Sequence, residues 1–283
     1  MPAGVKHTTV QRERKVLNMG GKFYIGVDCE GVACAVGAPG QGLTASENYD
    51  FARLEATREA DAAARALFDL GAEEVIVWDN HGPGVNLKYD LLDERCRIVL
   101  GAGHRGRFPG LDSTFAAVLF IGYHARENTP SAVLAHTYSS KSFQSWKLGG
   151  REVGELEIDA AFAGLHGVPV LFCASDDKCV AQAREAFGDI GYVVTKESLS
   201  WTSAISRHPT AVCRDIYREV QSAAARLPER KPFTLPSPLE VEIRYKRLDE
   251  AASAHLIDQD GKPFASPDPF TRRGVVESVR SLF

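Results

Sequence analysis

Phe23-Tyr24-Ile25-Gly26-Val27-Asp28-Cys29-Glu30-Gly31 is an apolar run that ends in two carboxylates one residue apart and then a glycine. On an extended chain successive side chains point to opposite faces, so Asp28 and Glu30 share one side while Cys29 turns the other way, into a core. Two acids held side by side repel, and without a cation between them one tends to protonate. A bound metal is the simplest remedy. A lone magnesium ion or a plain surface turn would suit the pair equally well.

Outward from this stretch, the pattern of strand then helix repeats to about residue 195. Residues 46–70 read as a long Ala-rich helix with Ser46 as N-cap and Gly71 closing it. Residues 74–78 read as a second buried strand that runs into Asp79-Asn80-His81-Gly82, and a shorter strand follows at 97–100. Residues 116–121 are apolar throughout and end at Gly122-Tyr123-His124; Val133 to Ala135 runs into His136 in the same manner. A helix at 153–165 and a strand at 168–173, ending at Ser175-Asp176-Asp177, complete the repeat.

Continuous apolar strands alternating with helices predict an α/β fold, a mostly parallel sheet flanked by helices in a Rossmann-like core. In such sheets ligands sit beyond the carboxyl ends of the strands. That rule gathers Asp28, Glu30, His81, His124, His136 and the Asp176-Asp177 pair towards one edge. Each is weak alone, since a single His after a strand is commonly structural. Acids and imidazoles recurring at successive strand ends are what points to a divalent metal, which accepts N and O donors together.

Pro228 to Pro238 is a proline-rich connector, and residues 239–245 beyond it alternate apolar with charged side chains, as a half-exposed strand does. The expected organisation is a flexible N-terminal extension over 1–21, an α/β catalytic core carrying the metal site over 22–195, and a smaller C-terminal α+β unit over 196–283. The loop 137–151, with Phe143, Trp146 and several cationic side chains, reads as a flap over the site.

The 283 residues are 44% hydrophobic and 25% charged with net charge −4, which argues against nucleic acid as a partner. No apolar run is long enough to span a membrane, and the six cysteines form no C-x-x-C pair, so a reducing, cytoplasmic setting is expected. His104 and His208 lie in basic contexts and His166 at a helix end before Gly167, all read as structural or peripheral.

Taken in order, Val27-Asp28-Cys29-Glu30-Gly31, Asp79-Asn80-His81-Gly82, Gly122-Tyr123-His124-Ala125, Ala135-His136-Thr137 and Val153-Gly154-Glu155 resemble the motif set of the zinc-dependent D-aminopeptidases related to the dipeptide-transport-operon enzyme. The resemblance spans about residues 22–210 and fades beyond. It implies two divalent metal ions per subunit, zinc for choice, with Asp28 bridging them, Glu30 and His81 completing one site, and His124 and Glu155 the other. His136 matches the catalytic histidine, either nucleophile or oxyanion stabiliser. The implied activity is hydrolysis of the N-terminal residue of short peptides or amino-acid amides, D-configured ones being an option, by a metal-activated water in a ring-like homo-oligomer. One departure is Gly149-Gly150 where the family usually carries Asn. A di-metal phosphoesterase, with Lys141, Lys147 and Arg151 for phosphate, and a non-catalytic metal-stabilised scaffold are the rival readings.

Overall fold

In the computed structural model, residues 20–283 are described; most of the expected N-terminal extension, residues 1–19, lies outside them. The chain runs β1 (Lys22–Val27), α1 (Tyr49–Asp69), β2 (Glu74–Asp79), β3 (Arg97–Val99), β4 (Phe115–Ile121), β5 (Phe143–Leu148), β6 (Arg151–Val153), α2 (Glu155–Leu165), β7 (Val170–Ser175), α3 (Asp177–Phe187) and β8 (Gly191–Val194). It continues with β9 (Lys196–Ser200), β10 (Ser203–Ser206), α4 (Pro209–Ala224), β11 (Leu239–Tyr245), α5 (Leu248–Ser253) and β12 (Thr271–Val276).

Six strands form one sheet in the order β3-β2-β1-β4-β7-β8. Every neighbouring pair in it is parallel. The strand order grows leftwards from β1 and rightwards from β4, so the topological switch lies between these two, and a crevice opens beyond their carboxyl ends. The alternation along β1 shows why it is central. Phe23, Ile25 and Val27 enter the apolar cluster that includes the α1 residues Ala52, Ala56, Ala60 and Ala63. Tyr24 faces the opposite cluster with Trp78 and Phe120. Alanines along α1 let the helix lie close to the sheet, and Cys29 is buried on that side, away from Asp28 and Glu30 as the alternation requires.

A second, antiparallel sheet has the order β12-β11-β5-β6, so β5 pairs with β11 from beyond the proline-rich connector and β6 pairs with β5 at the edge. This corrects the expected flap. Trp146 is buried in the pairing of β5 with β11, and only the segment before Phe143 is left to border the site. The hairpin β9–β10 stands apart as a two-stranded sheet.

Two boundaries also differ. Helix α1 begins at Tyr49 because the Ser46 hydroxyl accepts the Asn48 amide in a turn rather than capping a helix. Val133 to Ala135 forms no strand, since Leu134 takes φ +53° and its amide is claimed by the Trp201 carbonyl. No helix among the described residues is long and apolar enough to cross a membrane.

Candidate metal centre

The turn after β1 is pressed against the turn after β4. The amide of Asp28 donates to Ile121 O at 2.8 Å and that of Gly31 to Gly122 O at 2.7 Å. A Cβ on Gly31 would stand 1.8 Å from Tyr123 O, and one on Gly122, at φ +71°, 2.2 Å from Asp28 O. These two glycines are what allow Asp28 to approach His124.

Asp79, the last residue of β2, organises the next loop. Its carboxylate accepts from the amides of Asn86 and Leu87, from Asn86 Nδ2 and from the Tyr89 hydroxyl. Asn86 Nδ2 also donates to His81 O, which fixes the backbone that carries the imidazole. His81 Nδ1 consequently lies 2.8 Å from Asp28 Oδ1 and 3.0 Å from Glu30 Oε2.

His124 Nε2 lies 3.6 Å from Asp28 Oδ2 and 3.4 Å from Glu155 Oε1. Glu155 opens α2, where the macrodipole favours a carboxylate, and its Oε1 accepts the Tyr138 amide at 2.7 Å. His136 comes from the irregular segment rather than a strand, yet reaches the same place. Its Nε2 is 3.8 Å from Glu155 Oε1, and its ring stacks on His124 at 3.9 Å between centroids.

The sequence-predicted residues therefore form two triads, Asp28-Glu30-His81 and His124-His136-Glu155. Donors bonded to a tetrahedral metal at the usual lengths sit about 3.3 Å from one another, near the 3.0 Å between His81 and Glu30 and the 3.4 Å between His124 and Glu155. Tautomers agree with the same use. Nδ1 of His124 faces Ala125 O at 3.1 Å and Nδ1 of His136 faces Leu134 O at 2.7 Å. A carbonyl can only accept, so Nδ1 carries the proton and Nε2 offers its lone pair. Glu30 Oε2, His81 Nε2 and His124 Nε2 are buried without a hydrogen bond of acceptable geometry. Buried polar atoms left so are costly unless something else binds there.

Charge points the same way. Burial alone would push the His81 imidazolium down, but the Glu30 and Asp28 carboxylates outweigh it and hold the group far above its ordinary value. His124 is likewise lowered by burial and raised by Glu155 and Asp28, ending at about 10. Asp28 and Glu155, which burial would raise, are held below the usual carboxylate range by these imidazoles. The pocket thus demands positive charge between its acids, and the donor set of imidazole and carboxylate suits zinc.

Around the triads lie residues that sequence reasoning missed. Lys196 is fully buried and spends its ammonium on the carbonyls of Glu30, Val32 (2.9 Å) and Ala35 (2.6 Å). Burial lowers its pKa to about 8. Behind His124, Arg107 grips Asp159 through two bonds of 2.6 and 2.8 Å, and Asp159 accepts the Tyr123 hydroxyl at 2.5 Å. Asp159 follows Glu155 by four residues on α2, so a second acid on one helix face was a readable signal; Lys196 in a strand pattern gave none. Asp176 caps α3 by accepting the Lys178 and Cys179 amides, and Asp177 accepts from Ser198, so that pair serves the fold. His208 caps α4, His166 ends α2, and His104 packs on Trp78, none of them in a triad.

The centre floors a cavity of about 290 Å³ bordered by Leu43, Thr44, Leu134, Trp201 and residues 138–141. His136 lines it, whereas His124 does not. A larger cleft, about 620 Å³ between α1 and α4, holds none of these groups.

A family model for D-aminopeptidases matches residues 21–260. A D-aminopeptidase of Bacillus subtilis (strain 168) is 30% identical over 239 residues, 83% of this chain and 85% of that protein. The solved structure of the Zn-dependent D-aminopeptidase DppA from Bacillus subtilis, a self-compartmentalizing protease, has a TM-score of 0.83 at 28% identity, covering 92% of this chain and 93% of the other. The chain belongs to the D-aminopeptidase family and is a metal-dependent aminopeptidase, a hydrolase of peptide bonds.

Proposed function

We propose that the chain binds two zinc ions and removes the N-terminal residue from short peptides or amino-acid amides, D-configured ones included. The observation that carries the two-metal reading is Asp28, whose Oδ1 faces His81 and whose Oδ2 faces His124, one oxygen to each triad. In this reading Asp28 bridges, Glu30 and His81 complete one site, and His124 and Glu155 the other. Zinc bound there supplies a Lewis acid for the scissile carbonyl and lowers the pKa of water.

The chain's own residues do the rest. Of the stacked pair His124 and His136, it is His136 that lines the cavity, and Leu134 O holds its Nδ1 proton so that Nε2 turns towards the centre. Protonated at Nε2, it donates to the oxygen on which charge develops and can pass that proton to the departing amine. A role as oxyanion partner needs only that proton, whereas a nucleophilic role needs a covalent intermediate as well. Leu134 and Trp201 provide apolar wall and keep water from the reacting bond. A cavity near the lower end of the usual ligand range of roughly 300–1,000 Å³ favours short substrates.

Self-association belongs to the same proposal, supported by the self-compartmentalizing relative and by exposed Leu199 and Ile205 on the β9–β10 hairpin. So does a cytoplasmic setting, in keeping with six free cysteines. The test is zinc-loaded protein assayed on D- and L-aminoacyl amides and on p-nitrophenyl phosphate, with zinc per subunit measured by elemental analysis. Turnover of an aminoacyl amide with two zinc ions per subunit is expected. Hydrolysis of the phosphate ester alone, or a single zinc at saturation, would overturn it.

A further inference from the structure

A cavity of about 320 Å³ lies at the amino edge of the parallel sheet, opposite the edge that carries the triads. It is walled by Val170, which begins β7, by Phe187 at the end of α3, by Ile190 just before β8, and by residues 229–234 of the proline-rich connector. None of the triad residues lines it.

This cavity holds a guanidinium with idle donors. The Arg230 side chain is only 10% exposed, and its Nε and Nη2 are buried without a hydrogen-bond partner among the described residues. Asp189 Oδ2 stands 3.6 Å from Nη2, beyond hydrogen-bond reach, and already accepts Arg226 Nη1 at 2.5 Å. The backbone that carries Arg230 is well fixed. Its amide donates to Leu227 O at 3.0 Å, and the connector is pressed onto α2 so closely that a Cβ on Gly164 would stand 1.9 Å from Phe233 O. Phe233 in turn packs edge-on against Phe187 at 5.3 Å.

Nε and Nη2 form one edge of the guanidinium fork, two parallel N–H donors whose spacing matches the two oxygens of a carboxylate. Buried donors of this kind are costly unless an anion takes them. On the rim, the charges of exposed Glu229 and Lys231 cancel, so the lining carries one net positive charge, which suits a monoanion better than a doubly charged phosphate. The phenylalanines, Val170 and Ile190 offer an apolar wall that a bare carboxylate would not fill.

We infer that this cavity is a second ligand site, binding a small monocarboxylate with an apolar body. The carboxylate takes the Nε–Nη2 edge of Arg230, and the body lies against Phe187 and Phe233. Free apolar amino acids and short branched acids share this chemistry; an amino acid would also place its ammonium near Glu229.

The experiment is calorimetric titration of zinc-loaded native protein and Arg230→Met with 4-methylpentanoate, D- and L-leucine, 4-methylpentanamide and inorganic phosphate. Comparison of the two proteins isolates the Arg230 site from any binding at the metals. The native protein is expected to take up one equivalent of a carboxylate that Arg230→Met binds about 10- to 100-fold more weakly, whereas the amide shows no such difference. Arg230→Lys, a point charge without the fork, should recover only part of the affinity. Leucine bound more tightly than 4-methylpentanoate, with the advantage lost in Glu229→Gln, identifies an amino acid as the ligand; the reverse order identifies a simple acid. Without ligand, Arg230→Met should melt no lower than the native protein, since it removes a buried charge that the fold leaves unpaired. Identical isotherms in native protein and Arg230→Met, phosphate bound more tightly than either carboxylate, or a melting temperature well below the native one in Arg230→Met would each overturn the assignment.

Discussion

The two triads meet at Asp28, which belongs to the first and faces His124 of the second at 3.6 Å, but they are built by different means. Asp28-Glu30-His81 stands directly on the ends of β1 and β2, and its backbone is locked from behind by Lys196, by the Thr195 hydroxyl on Gly31 O at 2.6 Å, and by Asp79. In His124-His136-Glu155, only His124 follows a strand closely. Glu155 is delivered by a helix, and His136 by a segment in which Leu134 and Tyr138 take φ +53° and +58°. Such conformations cost of order 1–3 kcal/mol each and persist only where the surroundings enforce them. Here the hairpin does so, through Trp201 O on the Leu134 amide and Trp201 Nε1 on Ala135 O. In the proposed reading, a rigid sheet edge serves binding, and a loop under constraint places His136, the group that would meet the substrate.

The largest expected effect falls on Asp28, the proposed bridge between the triads. Asp28→Ala should leave elemental analysis with little zinc in either site and bring turnover to background. Full zinc content in this variant would break the idea of a common bridge. Next is His136→Ala, where loss of a proton-transferring group lowers kcat by about 10²–10⁴-fold while zinc content stays that of the native protein. Loss of one zinc instead would make His136 a ligand and erase the distinction between a binding triad and a substrate-facing one.

The sheet-edge triad was the legible one. Its three residues follow apolar runs that are buried strands, and parallel topology alone brings such ends together. The same reasoning placed His124 after β4. It reached His136 by a strand that does not exist, because φ at Leu134 is imposed by Trp201, a residue 67 positions away. Glu155 was found through its motif rather than its periodicity. Lys196 and Trp201 were invisible for a common reason. A buried lysine and a half-buried tryptophan acquire their roles only from carbonyls that the fold brings to them, and local pattern carries no trace of such partners.

Lys196→Met sharpens the comparison from the first triad's side. Removing the ammonium strands the carbonyls of Glu30, Val32 and Ala35 in a buried site, at about 1–3 kcal/mol for each polar group left unsatisfied. Part of that is offset by relief of the charge's own desolvation, visible in its lowered pKa. The net expectation is a lower melting temperature together with weaker zinc binding in the Glu30-His81 site, read by competitive chelator titration. Equal weakening of both sites would mean that the triads do not hold their shapes independently.

The smallest effect is predicted for Trp201→Phe. The backbone bond from the Leu134 amide survives, and the aromatic wall of the cavity is largely kept, but the indole N–H that donates to Ala135 O at 3.0 Å is gone. One neutral hydrogen bond contributes about 0.5–1.5 kcal/mol, enough to let the 134–136 segment sample conformations in which His136 is misplaced. The loss should therefore appear in kcat, by about two- to tenfold, with both zinc sites filled and KM little changed. A variant that instead loses zinc would show that the constrained loop supports binding as much as catalysis. One whose KM alone rises would show that Trp201 serves the substrate directly.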